Sequence, residues 1–417
     1  MKSQEDDFFD EAKLVAALRE RMKVEISCVQ KVDDGYRIVI AQDIPDRDSL
    51  WYRNNINVVE VVIEEGVKSI GDKAFCFFEA LKHVTLPQSL KKIGANAFRQ
   101  CEALREIVIP DGVTTLPKDA FYRCRNMTSA TLPATLKKIS QNAFRGCSSL
   151  ESINLPDGLS SVGRYAFDDC KKLKRLVIPR GMKSIGYRAF EGMCVEDCVI
   201  SAGVTSIGKE AFRRCKIDSI DIPSSVTSIG DDAFCSCKKL SSVTIPGSVA
   251  FIGKGAFGWC SQLTDVVILP GVKRIPDNCF FFCRELRRIK LPDDLTSIGE
   301  WAFSRCYRLT ELVIPSSVDV IPEGMASYCG GLKYVLIGDG VKEIGRDAFE
   351  YCEELAMVTI PQSVKSIAFD SFCNCKSLTA IIYAGTMEQW LAMERDKDWA
   401  RGSGNFSISC VDGVIDK

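Results

Sequence analysis

Apolar residues recur along this chain at fixed offsets within a unit of 22 or 23 residues. The stretch from Ser225 to Pro246 is representative: Ser-Val-Thr-Ser-Ile-Gly-Asp-Asp-Ala-Phe-Cys-Ser-Cys-Lys-Lys-Leu-Ser-Ser-Val-Thr-Ile-Pro. Leu240, Val243 and Ile245 read apolar-x-x-apolar-x-apolar. The last two alternate with period two, as a short strand with one buried face does. Pro246 ends that strand, because it has no N–H to donate. Val226, Ile229 and Phe234 follow a looser spacing, which predicts an irregular or single-turn helical return across the back of a coil. Gly230 falls at the predicted corner, where glycine tolerates a positive φ.

The dipeptide Ala-Phe sets the register of the repeat. Its phenylalanine slot holds Phe75, Phe98, Phe121, Phe144, Phe167 and Phe190, then Phe212, Phe234, Phe257, Phe280 and Phe303, then Phe349 and Phe372. Ala326 fills the remaining slot, which makes 14 units. Two steps, Phe190 to Phe212 and Phe212 to Phe234, are 22 residues long. The missing residue lies between Met193 and Val195 in one and between Cys215 and Ile217 in the other, so the strand spacing survives. A single unit cannot bury its own apolar side. Stacked units can, because each Leu, Val, Ile and Phe rests on its copy next door.

These positions resemble the BspA-like (Treponema-type) leucine-rich repeat, close to Leu-x-x-Val-x-Ile-Pro-x-x-Val-x-x-Ile-Gly-x-x-Ala-Phe-x-x-Cys. The likeness runs from Val58 to Tyr383. It departs at Ala326, at Met193 in the cysteine slot, and at Pro117, Pro276 and Pro322 in the corner-glycine slot. The resemblance implies an α/β solenoid: a right-handed leucine-rich repeat coil of about 14 repeats with a concave parallel β-sheet, capped at both ends. The expected organisation is an N-terminal helix and hairpin cap over 1–54, the repeat solenoid over 55–383, and a C-terminal cap over 384–417.

The ends carry their own patterns. Phe8, Phe9, Ala12, Val15, Ala16 and Leu18 predict a helix over Asp7–Met22. Val24–Val29 and Tyr36–Ala41 read as strands joined through Asp33-Asp34-Gly35. At the other end Thr386 and Gln389 form a capping box before a short helix. Trp390 and Trp399 are placed to cover the last rung, and Asn405–Val411 reads as a closing strand.

Composition narrows the classes of function. The chain has 417 residues, 46% apolar and 26% charged, with a formal net charge of −1. That balance is globular, and it gives no long-range pull toward nucleic acid or an anionic membrane. No apolar run approaches the ~18 residues of a membrane span. The first residues, Met1-Lys2-Ser3-Gln4-Glu5-Asp6-Asp7, lack the basic and apolar regions of a signal peptide.

One histidine and 20 cysteines stand out. Twelve cysteines share one slot of the repeat, from Cys101 and Cys124 through to Cys352 and Cys375. They predict a buried ladder of free thiols, since free cysteine packs as a small apolar residue with a weak S–H donor. Off the ladder lie Cys28, Cys76, Cys194, Cys198, Cys235, Cys279, Cys373 and Cys410. Cys235-Ser-Cys237 and Cys373-Asn-Cys375 look like metal pairs, yet each sets one ladder cysteine beside an insertion. Cys194 and Cys198 with Cys215 lack a fourth zinc ligand. His83, the lone histidine, should face outward from its strand, and no nucleophile motif accompanies it. Gly253-Lys-Gly255-Ala-Phe-Gly258 matches G-x-G-x-x-G without the strand and long helix of a dinucleotide site. The reading is therefore of no catalytic residues, no cofactor and no metal.

Function then falls to the surface. Between the inward residues of each strand, the outward positions become less polar toward the C-terminal end. Val313, Tyr334, Leu336, Met357 and Ile382 should be neighbours over four rungs. Such a patch marks a partner site, unless the C-terminal cap covers it. The family resemblance implies a non-catalytic protein-binding scaffold, acting in adhesion or in contact with host proteins or other cells, at a bacterial cell surface or secreted. An intracellular interaction module is the alternative, given the acidic N-terminus and the many cysteines. A metal protein built on Cys194, Cys198 and His83 is the remote one. The partner is expected to be a protein, with no nucleic acid and no membrane insertion, and the chain a monomer.

Overall fold

A computed structural model describes residues 16, 19–20, 24–47 and 57–416. The chain divides into two compact units, Met1–Val195 and Glu196–Lys417. Both are built from the same coil: a strand of two to four residues, a corner, a two-residue strand, and a return made of tight turns. Within each sheet a strand is hydrogen-bonded to its copy in the next coil.

The longer strands form parallel ladders in register. Ser219, Ile220 and Asp221 pair with Ser242, Val243 and Thr244 in the second unit. Glu106, Ile107 and Val108 pair with Ser129, Ala130 and Thr131 in the first. In Ser242–Ile245 the burial alternates exposed, buried, exposed, buried, which is the alternation of Val243 and Ile245 seen in the sequence. A second set of parallel ladders runs through dipeptides such as Ser228–Ile229, which pairs with Phe251–Ile252. The sequence pattern did not predict these strands. Two residues are too few to show a period of two.

The return is a run of turns, not a helical turn. The positions two before and two after the phenylalanine slot both carry φ near +60°, as at Asp232 (+52°) and Ser236 (+61°) around Phe234. All 14 coils share this, mostly with ordinary residues, such as Lys73 and Phe77, and otherwise with glycine. Left-handed residues cost on the order of 1–3 kcal/mol each. The offset is hydrogen bonding between coils. The N–H groups of Asp232, Phe234 and Ser236 donate to the carbonyls of Lys254, Ala256 and Gly258 at 2.8–2.9 Å. Alternate N–H groups thus all face the next coil.

The corner glycine has a different reason from the one expected. Gly230 is not among the residues with positive φ. A Cβ there would lie 2.5 Å from the backbone nitrogen of Lys209, and one at Gly94 would lie 2.3 Å from that of Asp72. Close approach of neighbouring coils selects glycine at these corners, not the sign of φ.

Inside, the phenylalanines stack ring on ring. In the first unit the centroids of Phe98 and Phe121 are 5.5 Å apart with planes 5° from parallel. In the second, Phe212 and Phe234 are 5.3 Å apart and 4° from parallel. The stack is interrupted at Ala326. There the usual Ala-Phe is inverted to Met325-Ala326, and both side chains are fully buried, so the large side chain moves one position along the chain.

The cysteine ladder is buried and unbridged: all 20 thiols are free. The ladder has a polar role as well as a packing one. Cys101 Sγ donates to the Phe75 carbonyl at 3.1 Å, and Cys260 Sγ to that of Phe234 at 3.3 Å. The same geometry recurs down the ladder, so the thiol satisfies a carbonyl in the tight turn of the preceding coil. Burial pushes the thiols of Cys101 and Cys260 up, and that of Cys147 to about 12.

At the N-terminal end, Ile26–Val32 and Gly35–Ile40 form the expected antiparallel hairpin. Its second strand continues in parallel onto Val58–Ile63. Of the predicted helix over Asp7–Met22, Ala16, Arg19 and Glu20 are described and are helical; the rest lies outside the described residues. At the C-terminal end the helix Met387–Ala392 starts on the expected capping box. Trp399 sets its ring edge-on to Phe372 at 5.9 Å and meets Trp390 at 6.1 Å. Ser407–Cys410 adds a parallel strand beside Ala380–Tyr383, and Gly413–Asp416 turns back antiparallel to it. No described helix is long and apolar enough to cross a membrane.

Candidate interaction surface

The outward face of the longer strands is set by register. Across Glu311–Ile314, Tyr334–Ile337, Met357–Ile360 and Ala380–Tyr383, one row runs Val313, Leu336, Thr359, Ile382. The parallel row runs Glu311, Tyr334, Met357, Ala380. Strands lie ~4.8 Å apart, so adjacent members of a row are in reach of one another. The fractional exposures are 53% for Val313, 55% for Tyr334, 48% for Leu336, 37% for Met357 and 39% for Ile382. The C-terminal strand does not cover them. Ser407 and Ser409 extend the two rows beside Ala380 and Ile382.

The corresponding face of the first unit is more mixed. Val108 and Val177 are exposed, but Thr131 and Asn154 lie between them in the row. A shallow depression there is lined by Thr131, Ser152, Asn154, Arg175 and Val177. His83 is exposed and faces Glu60 across the strand pair, as its place before Val84 implies. Arg288 pairs with Asp265 on the neighbouring strand at 2.7 Å, which cancels charge on the middle of the second unit's face.

Cys198 is buried in Asp197–Ile200, and burial pushes its thiol up to about 12. A thiol held so far into its protonated form is a poor nucleophile. Neither Cys194, Cys198 nor His83 belongs to a close group of three ligating side chains among the described residues. The G-x-G-x-x-G stretch lies in the turns of one return, with Gly255 at φ +63° as the left-handed residue.

Sequence reasoning missed a ridge of aromatic and arginine side chains on the return. In the first unit Arg145 and Arg164 each lie 4.7 Å from the ring of Tyr165, and Arg164 also lies over Tyr187. In the second, Trp259 and Phe282 rings are 4.3 Å apart, with Arg284 4.3 Å over Phe282. Cation–π contacts of this kind each contribute ~0.5–1 kcal/mol at exposed sites. The available signal was the arginine and aromatic residues that recur within two positions of the phenylalanine slot, as Arg145, Tyr165, Trp259 and Phe282 do.

The comparisons with known proteins agree with this architecture. The sequence model of the BspA type leucine rich repeat region matches residues 48–174, 160–280 and 251–379. No curated protein matches the chain. A leucine-rich repeat protein from Bacteroides ovatus is 23% identical, with a TM-score of 0.62 over 92% of this chain and 98% of that one. A leucine rich cell surface protein from Faecalibacterium prausnitzii is 25% identical, with a TM-score of 0.41 over 89% of this chain and 98% of that one. The repeat, its buried ladders and the family match lead to one conclusion: this chain belongs to the BspA type leucine-rich repeat family.

Proposed function

We propose that the chain is a non-catalytic protein-binding scaffold that takes its partner on the strand face of the second unit. The observation that carries this reading is the open apolar row of Val313, Leu336 and Ile382 beside Tyr334 and Met357. An exposed patch with an aromatic centre, set on a rigid sheet, has the composition of an interface core. Tyr334 and Leu336 are central to it and are the expected anchors, since a few buried residues carry most of an interface's energy. Adhesion, or contact with host proteins or other cells, is the setting that the likeness to this family implies. The 20 free thiols favour a second setting, an interaction module inside a reducing compartment.

The test compares proteins retained by three forms of the full chain: wild type, a Tyr334→Ala/Leu336→Asp variant, and a Thr131→Asp control. A partner held by wild type and control but lost from the double variant supports the proposal. A partner held equally by all three places binding elsewhere.

A further inference from the structure

On the return side, the slot two before each phenylalanine and the slot one after it form a column from coil to coil. In the coils from Phe98 to Phe212 these slots hold acids and arginines that meet. Arg99 stands 4.0 Å from Asp119, Arg145 stands 2.9 Å from Asp168, and Arg188 stands 3.4 Å from Glu191. In the second unit Arg213 meets Glu210 at 2.6 Å.

Near the C-terminal end the column turns acidic. Its slots there hold Asp347, Glu350, Asp370 and Cys373. Arg346 reaches Asp347 at 3.4 Å, and Arg401, from the C-terminal segment, reaches Asp370 Oδ2 at 3.0 Å. Glu350 makes no salt bridge among the described residues. Ligating atoms of Glu350, Asp370 and Cys373 all lie within 4.8 Å of one another. This is the single such group among the described residues.

A second, independent observation points to a ligand. Asp370 is 6% exposed, and its Oδ1 is buried with no hydrogen-bond partner. A buried carboxylate oxygen left unpaired carries the full cost of its desolvation, so structures seldom keep one without a partner. Burial also pushes the carboxyls of Asp347 and Glu350 and the thiol of Cys373 upward. Arg346 and Arg401 offset part of the negative charge there, and the unpaired Asp370 oxygen is what a cation would satisfy.

The donor set selects among cations. Calcium and magnesium take oxygen ligands and disfavour a thiolate. Zinc accepts cysteine sulfur together with carboxylate oxygen in a tetrahedral site. We propose that Glu350, Asp370 and Cys373 form a binding site for one zinc ion, with water in the fourth position. Binding would release the Cys373 proton to solvent as the Zn–S bond forms. Arg401, which reaches Asp370 Oδ2 and also acts on Cys373, would remain as a partner that orients the ligands. The Cys373-Asn-Cys375 pair takes part through one member only: Cys375 belongs to the buried ladder and donates to the Phe349 carbonyl at 3.2 Å.

The test uses the full chain, kept reduced and stripped of metal, and titrated with zinc against a chromophoric chelator. Cobalt replaces zinc in a parallel titration to report sulfur ligation by its near-ultraviolet charge-transfer band. The expected result is one equivalent of zinc and a thiolate–cobalt band. Glu350→Gln and Cys373→Ser should each weaken binding by about tenfold or more, and Cys373→Ser should remove the band. Cys194→Ser, away from the site, should change neither. Should Cys373→Ser fail to fold by circular dichroism, Glu350→Gln and the wild-type cobalt spectrum decide, since Glu350 is only half-buried. No competitive zinc binding, no thiolate band, or affinity unchanged in Glu350→Gln overturns the proposal.

Discussion

The interior of each coil and its outward strand face repeat in opposite ways. Inside, one slot holds one residue type through coil after coil: phenylalanine stacked on phenylalanine, cysteine bonded to the preceding turn. Outside, the slot of Thr244 reads Asp221 one strand back and Val267 one strand on. A buried position meets its own copy above and below, so a change in one coil must be matched by its neighbours. An outward position meets solvent and is free to differ. The interior therefore states the fold, and the exterior is where the coils differ from one another.

The largest expected effect breaks the interior. Phe234→Ala removes a ring stacked on both Phe212 and Phe257 and should cost ~3–5 kcal/mol in urea unfolding. A smaller effect tests the inverted pair. Ala326→Phe alone should cost ~1–3 kcal/mol by overpacking against Met325. Adding Met325→Ala restores the common order and should recover most of that loss, a coupling that a double-mutant cycle reads directly. Additive losses would show that the two side chains do not share a space. Cys260→Ala deletes the S–H donor to the Phe234 carbonyl and should cost about 1 kcal/mol, read from the urea midpoint.

A weaker effect depends on pH. Burial raises the Glu350 pKa in the folded chain. The ionised form is therefore disfavoured on folding, and stability falls as pH rises from the unfolded pKa through the folded one. Glu350→Gln removes this penalty. The metal-free variant should exceed wild type in urea midpoint at neutral pH, and the gain should vanish in acid, where both carry a neutral side chain. A gain independent of pH would contradict the burial argument.

The contrast between interior and face also explains what was legible in the sequence. Val243, Ile245, Phe234 and the cysteine slot could be read because burial repeats them at fixed spacing. The outward placement of His83 and of the row from Val313 to Ile382 followed from period two. The short strands at Ser228–Ile229 could not be read, because a dipeptide has no period. Nor could the left-handed residues: Lys73, Phe77 and Trp301 adopt φ near +60° because bonds to the next coil impose it, whatever the side chain. The corner glycine was legible as a position but not as a cause. Glu350 was hidden from Asp370 and Cys373 because the coil, not the local sequence, brings residues 20 and 23 apart together.

The face itself gives the smallest effect. Leu336→Asp should stay within ~0.5 kcal/mol of wild type, since its side chain already meets water. The central claim is that stability lies in the repeated interior and that the outward row is free for binding. Urea titration of Phe234→Ala beside Leu336→Asp tests it most directly. The account predicts a loss of ~3–5 kcal/mol in the first and a midpoint close to wild type in the second. Comparable losses in the two variants would contradict it.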